Sequence, residues 1–472
     1  MTDKNKPILG EVAIAAEVTT NQMEPGRIRY IILLLSASVA LMMTGYGIVM
    51  PVFARRLGEF GDGVEALGLL TMSFAMAQLI AAPMWGGVAD RRGRRPIILL
   101  ALTATTLAYI GYLLAPNTTI FVVIRAMAGF MTAGLFPAAM GVVADIVPGE
   151  QRARWVGIVM GSYAVGMIFG PALGGFLYDG WGYAAPFVLS AVVAFLALLA
   201  AFIMIPETRT PEIRWRETLK ARRTAPLYQP KKQSLWAVLP HPLHLIGTLL
   251  FIDFVGSFGF AFVEPQMIFY FYDTLDWTTL QFGIVVGVYG VVMVIGQMFL
   301  GQLSDKWGRK PIIVAGLFPN ILFFAGLAVI TDFYTMMIGA ALAGLGNALL
   351  SPAISAFYFD ITAVEHRSRL IGVKESSLAL GGVLGPLAVA AMAGFVTPQG
   401  IFWIASGLAL VTLFLGLIFL REPQHTQTGS LSVQEEISSQ RALAAQASLR
   451  GIVMLASSAR VGNRKEEGFS SF

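Results

Sequence analysis

Long runs of hydrophobic residues, separated by short polar segments, recur along the whole chain. A helix of about 20 apolar residues crosses the roughly 30 Å hydrocarbon core of a bilayer. Twelve runs have this length, and we number them as spans 1 to 12: 31–54, 65–87, 96–115, 119–143, 154–177, 183–205, 245–271, 279–301, 311–330, 333–358, 368–395 and 399–420. Because a segment in lipid must satisfy its own backbone hydrogen bonds, and because these runs lack the short alternating strands of a barrel, the pattern predicts an all-α integral membrane protein.

The composition favours the same class of protein. Of the 472 residues, 56% are hydrophobic and only 13% are charged, whereas soluble domains have about 25% charged residues. There is no cysteine, which excludes disulfides, thiolate metal sites and cysteine nucleophiles. The four histidines form no metal-ligand pair on an apolar helix, so we expect no metal site and no enzyme. A nucleotide-binding P-loop signature is also absent from the sequence, so we expect no cofactor and an ion gradient as the energy source.

Basic residues mark one side of the predicted bundle. Twenty-nine of the 33 Lys and Arg lie in the tails, in the segments that follow even-numbered spans, or at the adjoining ends of spans 5 and 11 (Arg154 and Arg369), all of which share one side. Arg55 and Arg56 lie on the other side, while Arg125 and Lys374 fall within spans. Since cytoplasmic loops carry an excess of basic residues, we predict a multi-pass cell-membrane protein with both termini in the cytoplasm. The net charge of +5 is then explained by topology, and we expect no nucleic-acid partner.

Polar segments divide the chain into five parts. Residues 1–30 form a cytoplasmic tail without the apolar core of a signal peptide. Residues 31–205 form a first six-helix bundle, and a basic linker, 206–242, is expected to contact lipid headgroups. Residues 243–420 form a second six-helix bundle, and a tail rich in Ser, Gln and Ala, 421–472, is expected to be disordered.

The two predicted bundles share an internal repeat. GGVADRRGRRPIILL at 86–100 aligns with GQLSDKWGRKPIIVA at 301–315, with seven of fifteen positions identical. The same shift of 215 residues aligns further positions without a gap: Gly129 with Gly344, Pro137 with Pro352, Asp145 with Asp360, and Gly170–Pro171 with Gly385–Pro386. Such parallel repeats, related by an axis along the membrane normal, enclose a central site near the midplane around which the halves rock.

Two glycine-containing motifs in these repeats resemble the major facilitator superfamily. The first lies between spans 2 and 3 and recurs between spans 8 and 9, with these members: Gly86, Asp90, Arg91, Gly93 and Arg94, then Gly301, Asp305, Gly308 and Arg309. The second lies in span 5 and resembles the motif of the twelve-helix drug/proton antiporter branch: Gly157, Gly166, Gly170, Pro171, Gly174 and Gly175. The resemblance covers roughly residues 28–420.

The resemblance implies a cytoplasmic gate. Asp90 would accept hydrogen bonds from the N-terminus of span 11, near Arg367–Gly372, and lock the gate when the transporter is open to the outside. Asp145 and Asp360 would complete the charge networks there. The glycines of span 5 would allow close helix packing, bent at Pro171, that seals one side while the other opens. The alternatives are that the basic residues only enforce topology and that the glycines only pack helices.

Charged residues within spans are the candidates for ion coupling, because each is costly to place in a bilayer. Asp253 and Glu264 lie in span 7, where eleven residues make three helical turns plus about 20°, so both acids share one face about 16 Å apart. We predict that this face lines the central cavity and that one of the acids exchanges a proton. Arg125, which matches the family's pattern in span 4, would be a fixed positive charge beside a carboxylate or a structural partner of backbone carbonyls.

Uncharged polar residues and one further charged pair complete the candidates. Gln78 and Asn347 are expected to line the same cavity. Lys374 and Glu375, near the start of span 11, are expected to neutralise each other at the gate. Span 1 contains no acid, so ion coupling depends on span 7.

These observations predict a secondary transporter that exports lipophilic or cationic small molecules in exchange for protons by alternating access. Its expected partners are a small-molecule substrate, protons and membrane lipid, and we expect a monomer. Two alternatives stay open: an importer or uniporter of a polar metabolite on the same fold, and a non-transporting receptor or scaffold.

Overall fold

Twelve long helices make up most of the computed structural model, which describes residues 25–147, 149–208, 243–300, 302–362 and 367–421. Within these ranges twelve helices are long and apolar enough to cross a membrane, so the predicted all-α fold with twelve spans is confirmed. They are α1 (Pro25–Glu59), α2 (Val64–Arg92), α3 (Arg94–Leu114), α4 (Thr118–Thr132 and Leu135–Ile146), α5 (Gly149–Trp181), α6 (Ala184–Met204), α7 (Leu243–Phe269), α8 (Thr279–Leu300), α9 (Arg309–Val329), α10 (Phe333–Asp360), α11 (Arg367–Met392) and α12 (Pro398–Phe419). A π-helical turn, Tyr270–Thr274, continues α7, and a short helix, Leu303–Trp307, precedes α9.

The helices differ from the predicted spans in two ways. Several are longer than the apolar run that identified them: α1 extends the first span at both ends, and α5 reaches from Gly149 to Trp181. Hydropathy detects only the part of a helix that matches the bilayer, whereas the helix continues into its polar ends. The fourth span, in contrast, is interrupted at Ala133 and Gly134, a break that a hydropathy pattern does not reveal.

The repeat in the sequence is reproduced in several hydrogen bonds of the structure. Hydrogen bonds formed in the first half recur 215 residues later in the second. Arg94 binds Asp145 as Arg309 binds Asp360, and Arg95 binds the Phe202 carbonyl as Lys310 binds the Leu417 carbonyl. Asn117 caps the N-terminus of α4 as Asp332 caps that of α10. Equivalent residues therefore occupy equivalent positions, and α1–α6 and α7–α12 are two copies of one six-helix arrangement.

The two faces of the bundle are distinguished by the direction of the helices. Since the number of spans is even, residues 25 and 421 lie at the same face, which we call the terminal face. The other face, which we call the opposite face, holds the connections that follow the odd-numbered helices.

Two equivalent helix pairs join the halves near the opposite face. In the α5–α8 seam, a Cβ added to Gly283 would lie 2.7 Å from the Cα of Ala172. In the equivalent α2–α11 seam, a Cβ added to Gly68 would lie 2.8 Å from the Pro386 carbonyl oxygen. Because such distances leave no space for a larger residue, backbones of the two halves are in direct contact there.

The apolar cores show that the halves separate towards the terminal face. One buried cluster contains residues from both halves, among them Phe53, Phe282 and Phe402. Each of the other two belongs to a single half; one includes Leu35 and the other Leu249. Among the described residues, burial thus continues across both halves only in this shared region, and we conclude that the described helices are closed together at the opposite face and separated at the terminal face.

Candidate functional site

Arg125 lies buried in α4, in a cage of aromatic rings. Its side chain is 7% exposed, and its guanidinium carbon lies 3.9 Å from the centre of the Phe74 ring and 4.9 Å from that of Phe53. Its Nη2 donates a 3.0 Å hydrogen bond to the hydroxyl of Tyr46 on α1. Cation–π contacts and this hydrogen bond stabilise a permanent positive charge that would be costly to bury alone.

The charge of Arg125 acts on a carboxyl group of the other half, that of Glu264 in α7. Glu264 is half-buried between buried neighbours, and the guanidinium of Arg125 lies within Coulombic range of it. The Nε of Arg125 is buried and has no hydrogen-bond acceptor among the described residues. The structure therefore places a fixed cation of one half within Coulombic range of an acid of the other, two residues that the sequence places 139 positions apart.

Asp253 lies in a separate polar cluster within the second half. It is buried, and the hydroxyl of Tyr358 on α10 donates a 2.8 Å hydrogen bond to its Oδ2. Lys374 of α11 acts on the same carboxylate at Coulombic range and donates a 3.1 Å hydrogen bond to Ser355 of α10. The two acids of α7 thus have different neighbours: Asp253 binds Tyr358 within the second half, whereas Glu264 lies within Coulombic range of Arg125 of the first.

The expected Lys374–Glu375 ion pair is not formed among the described residues, because the Lys374 amine is directed to Ser355 while Glu375 is exposed. Asn347 donates a 2.8 Å hydrogen bond to Asn320, so the structure uses it to join α10 to α9. Gln78 is half-buried on α2.

The charged motifs of the terminal face form matching networks in the two halves. Arg94 binds Asp90 at 2.8 Å and Asp145 at 3.4 Å. In the second half Arg309 binds Asp360 at 2.8 Å and also pairs with Asp305. Gly301, the first residue of the second motif, lies outside the described residues.

Glycines of these motifs have a conformational role. Gly93 and Gly308 separate consecutive helices with φ of 117° and 92°, angles that residues with a side chain rarely adopt. In the first half the backbone N–H groups of Arg94 and Arg95, which begin α3, donate to the Glu207 carboxylate at 3.0 and 3.2 Å. Sequence reasoning missed this cap, because Glu207 was counted only as part of the basic linker.

The glycines of α5 fall into two groups. Gly166, Gly170 and Gly174 pack against the backbone of α1, and Gly175 packs against Thr279 at the start of α8. Towards the terminal face, a Cβ at Gly157 would meet no described atom within 4 Å beyond its own helix, and the same holds for Gly86 of α2 and Gly372 of α11. Among the described residues, the row of glycines along α5, which we call the glycine stripe, therefore packs tightly against other helices only towards the opposite face.

Comparisons with known proteins give consistent results. The model of the Major Facilitator Superfamily matches residues 35–270 and 246–462. The tetracycline resistance protein, class C, of Escherichia coli is 29% identical over 395 residues, covering 81% of this chain and 95% of that protein. Multidrug resistance protein 2 of Bacillus subtilis (strain 168) is 27% identical over 358 residues, covering 76% and 86%.

Solved structures share the fold. A bacterial homolog of the human lysosomal transporter Spinster, inward-facing and occupied, has a TM-score of 0.67 at 15% identity, covering 84% of this chain and 97% of that one. The human organic anion transporter MFSD10 (TETRAN) has a TM-score of 0.59 at 20% identity, covering 84% and 100%.

Proposed function

The chain belongs to the Major Facilitator Superfamily, and from this premise we propose that it exports lipophilic or cationic small molecules in exchange for protons. Proteins of this family are transporters rather than enzymes. Relatives named for tetracycline and multidrug resistance cover most of the chain, and the glycines of α5 match the antiporter motif. The observation that carries the proposal is that Glu264 of one half lies within Coulombic range of Arg125 of the other, since such an arrangement can couple a proton to the relative movement of the halves.

The proposed orientation places the terminal face in the cytoplasm of a cell or inner membrane. It rests on the 29 basic residues of that side. The open terminal face then admits substrate from the cytoplasm or the inner leaflet of the bilayer. We further propose that the protein works as a monomer and that its basic residues contact lipid headgroups.

In the proposed cycle Glu264 carries the proton. Arg125 cannot give up its own proton, so it acts as a fixed positive charge that favours release of a proton from Glu264 when substrate binds. The halves then rock until the opposite face opens and substrate leaves. Glu264 takes up a proton from outside, and the protonated carrier returns to the state described above.

Export is tested by the accumulation of a lipophilic cationic dye such as ethidium in host cells that lack their own exporters. We expect cells that express the chain to accumulate less dye than cells with an empty vector, and a protonophore to abolish the difference. If accumulation is unchanged for every lipophilic cation tried, the proposal of drug export is wrong. If the difference persists with the protonophore, proton coupling is wrong.

The proposed gate at the terminal face involves Asp90. Its side chain is 56% exposed beside Arg94, on the face where α11 begins. When the terminal face closes, Asp90 would cap the N-terminus of α11, an interaction worth about 1 kcal/mol.

We therefore expect Asp90→Ala to slow turnover by about fivefold while the Kd for the dye stays unchanged, measured as efflux rate and equilibrium binding. Asp332→Ala, which removes a cap within one half, is the matched control. Normal turnover in Asp90→Ala would contradict the gate.

A further inference from the structure

A group of polar contacts at the opposite face joins the two halves around the α7–α8 connection. Arg55 at the end of α1 donates a 2.7 Å hydrogen bond to the Trp277 carbonyl and a 3.4 Å hydrogen bond to the Thr279 hydroxyl. Its guanidinium carbon also lies 3.8 Å from the centre of the Tyr272 ring. The Tyr272 hydroxyl in turn donates a 3.0 Å hydrogen bond to the Pro51 carbonyl of α1. One arginine of the first half thus holds three residues of the second.

Asp179 makes a second contact of the same kind. It lies near the end of α5, and its carboxylate accepts hydrogen bonds from the backbone N–H groups of Thr279 at 3.2 Å and Leu280 at 2.8 Å. These are the first N–H groups of α8, which have no partner within their own helix. A carboxylate at this position also interacts favourably with the helix dipole. Asp179 therefore caps a helix of the other half.

The connection held in this way has an unusual backbone. The π-helical turn Tyr270–Thr274 is a rare conformation that is often found at functional sites. Asp276, two residues after this turn, has a φ of 54°, which is uncommon for a residue other than glycine. Backbone of this kind persists only where surrounding contacts maintain it, and Arg55 supplies such contacts.

The internal repeat shows that these contacts are not required by the fold. The α2–α11 seam is equivalent to the α5–α8 seam and has the same glycine packing. The positions equivalent to Asp179 and Thr279 are Gly394 and Val64, and the position equivalent to Arg55 is Tyr270. The charged contacts therefore belong to one seam only, although the apolar packing is common to both.

We propose that Arg55 and Asp179 form a latch that holds the opposite face closed and must open before substrate leaves on that side. The inference rests on the proposed alternating-access function. Arg55 contacts the main chain of the α7–α8 connection and Asp179 that of the first turn of α8, so a rocking movement that separates the halves at this face breaks all of these hydrogen bonds together. The latch thereby sets the ratio of the closed to the open state at this face, independently of which substrate is carried.

The distance between spin labels at the opposite face tests the latch in the full chain. The chain has no cysteine, so Trp181→Cys and Tyr334→Cys give two unique labelling sites, one in each half; both side chains are exposed, 66% and 73%. We expect Asp179→Ala and Arg55→Gln each to increase the ratio of long to short label distances by about three- to tenfold, the effect of losing one cap or one charged hydrogen bond. Asp179→Asn, which keeps an acceptor oxygen, should fall between Asp179→Ala and the unmodified residue.

Two variants on the same face serve as controls. Arg56→Gln removes the neighbouring arginine, whose contacts with Glu59 and the Ala115 carbonyl stay within one half. Asn117→Ala removes an exposed cap of α4, also within one half. Both should leave the distances unchanged.

The outcomes separate the latch from the proposed drug export. Unchanged distances in Asp179→Ala or Arg55→Gln, with normal elution of the purified protein, would overturn the latch, and so would equal shifts in the controls. If Asp179→Ala does not fold, Asp179→Asn and Arg55→Gln provide the same test. Because the measurement needs neither drug nor proton gradient, a failed export assay leaves its result unaffected.

Discussion

Glu264→Gln is expected to abolish the response of transport to a proton gradient while the protein stays folded. Glutamine keeps the size of the side chain and its ability to accept a hydrogen bond, but it cannot bind and release a proton. Since Arg125 stays charged within Coulombic range of it, the site is fixed in one charge state and substrate binding is no longer linked to protonation. In vesicles loaded with dye, we expect the ratio of transport rates with and without an imposed pH gradient to fall by about 5- to 150-fold, as coupling energies of about 1–3 kcal/mol imply.

Asp253→Asn is the matched comparison on the same helix face. Asparagine still accepts the hydrogen bond from Tyr358, so the cluster between α7 and α10 keeps its geometry. If Glu264 carries the proton, this variant retains the response to the gradient. The opposite result, a response lost in Asp253→Asn and kept in Glu264→Gln, would move the coupling group to the cluster around Asp253. A normal response in both variants would mean that neither acid of α7 couples transport to protons.

The fold was largely predictable because a bilayer imposes a simple rule on sequence. Each span must be apolar over its length, so hydropathy alone locates all twelve helices. The internal repeat could also be recognised from the sequence, because residues with special backbone or charge roles are retained in both copies. Gly93 and Gly308, which both have positive φ, are an example. What hydropathy misses are features that do not alter it, such as the break at Gly134.

The candidate site was only partly predictable, because its members meet across the two halves. Periodicity placed Asp253 and Glu264 on one face of α7, but no local pattern relates Glu264 to Arg125. For Asn347 the sequence predicted a role that differs from its observed contact. A polar residue within a span is expected to line the cavity, but the Asn347 side chain binds Asn320 and joins two helices. Polar side chains also stabilise helix contacts in membranes, and sequence does not separate the two roles.

Residues of the opposite face were missed for a different reason. From the sequence Arg55 is only an exception to the distribution of basic residues, and Asp179 has no pattern that singles it out. Neither has an equivalent in the other half, where Tyr270 and Gly394 occupy the corresponding positions. In a duplicated protein, a charged residue present in one copy alone at an otherwise similar seam is a signal that sequence comparison of the halves can detect.

Gly174→Ala is expected to cause the largest loss of stability among single-methyl substitutions in α5. A Cβ at Gly174 would lie 2.6 Å from the carbonyl carbon of Ile48 in α1, and backbone cannot yield there as the end of a flexible side chain would. The two helices must move apart, which costs about 1–3 kcal/mol or more in a packed interior. This cost exceeds the 0.5–1 kcal/mol that alanine gains over glycine within a helix.

Gly157→Ala is the matched control, since the same methyl group in the same helix meets no described atom within 4 Å beyond α5. We expect its apparent melting temperature to equal or exceed that of the unmodified protein, while Gly174→Ala melts at a clearly lower temperature or yields little monodisperse protein. Both are measured by size-exclusion chromatography after heating. Equal melting temperatures for the two variants would show that α1 and α5 can separate at little cost, and the tight packing of the glycine stripe near the opposite face would then not contribute to stability. The contrast between the two variants therefore isolates helix approach from helix propensity, because the change in propensity is the same at both positions.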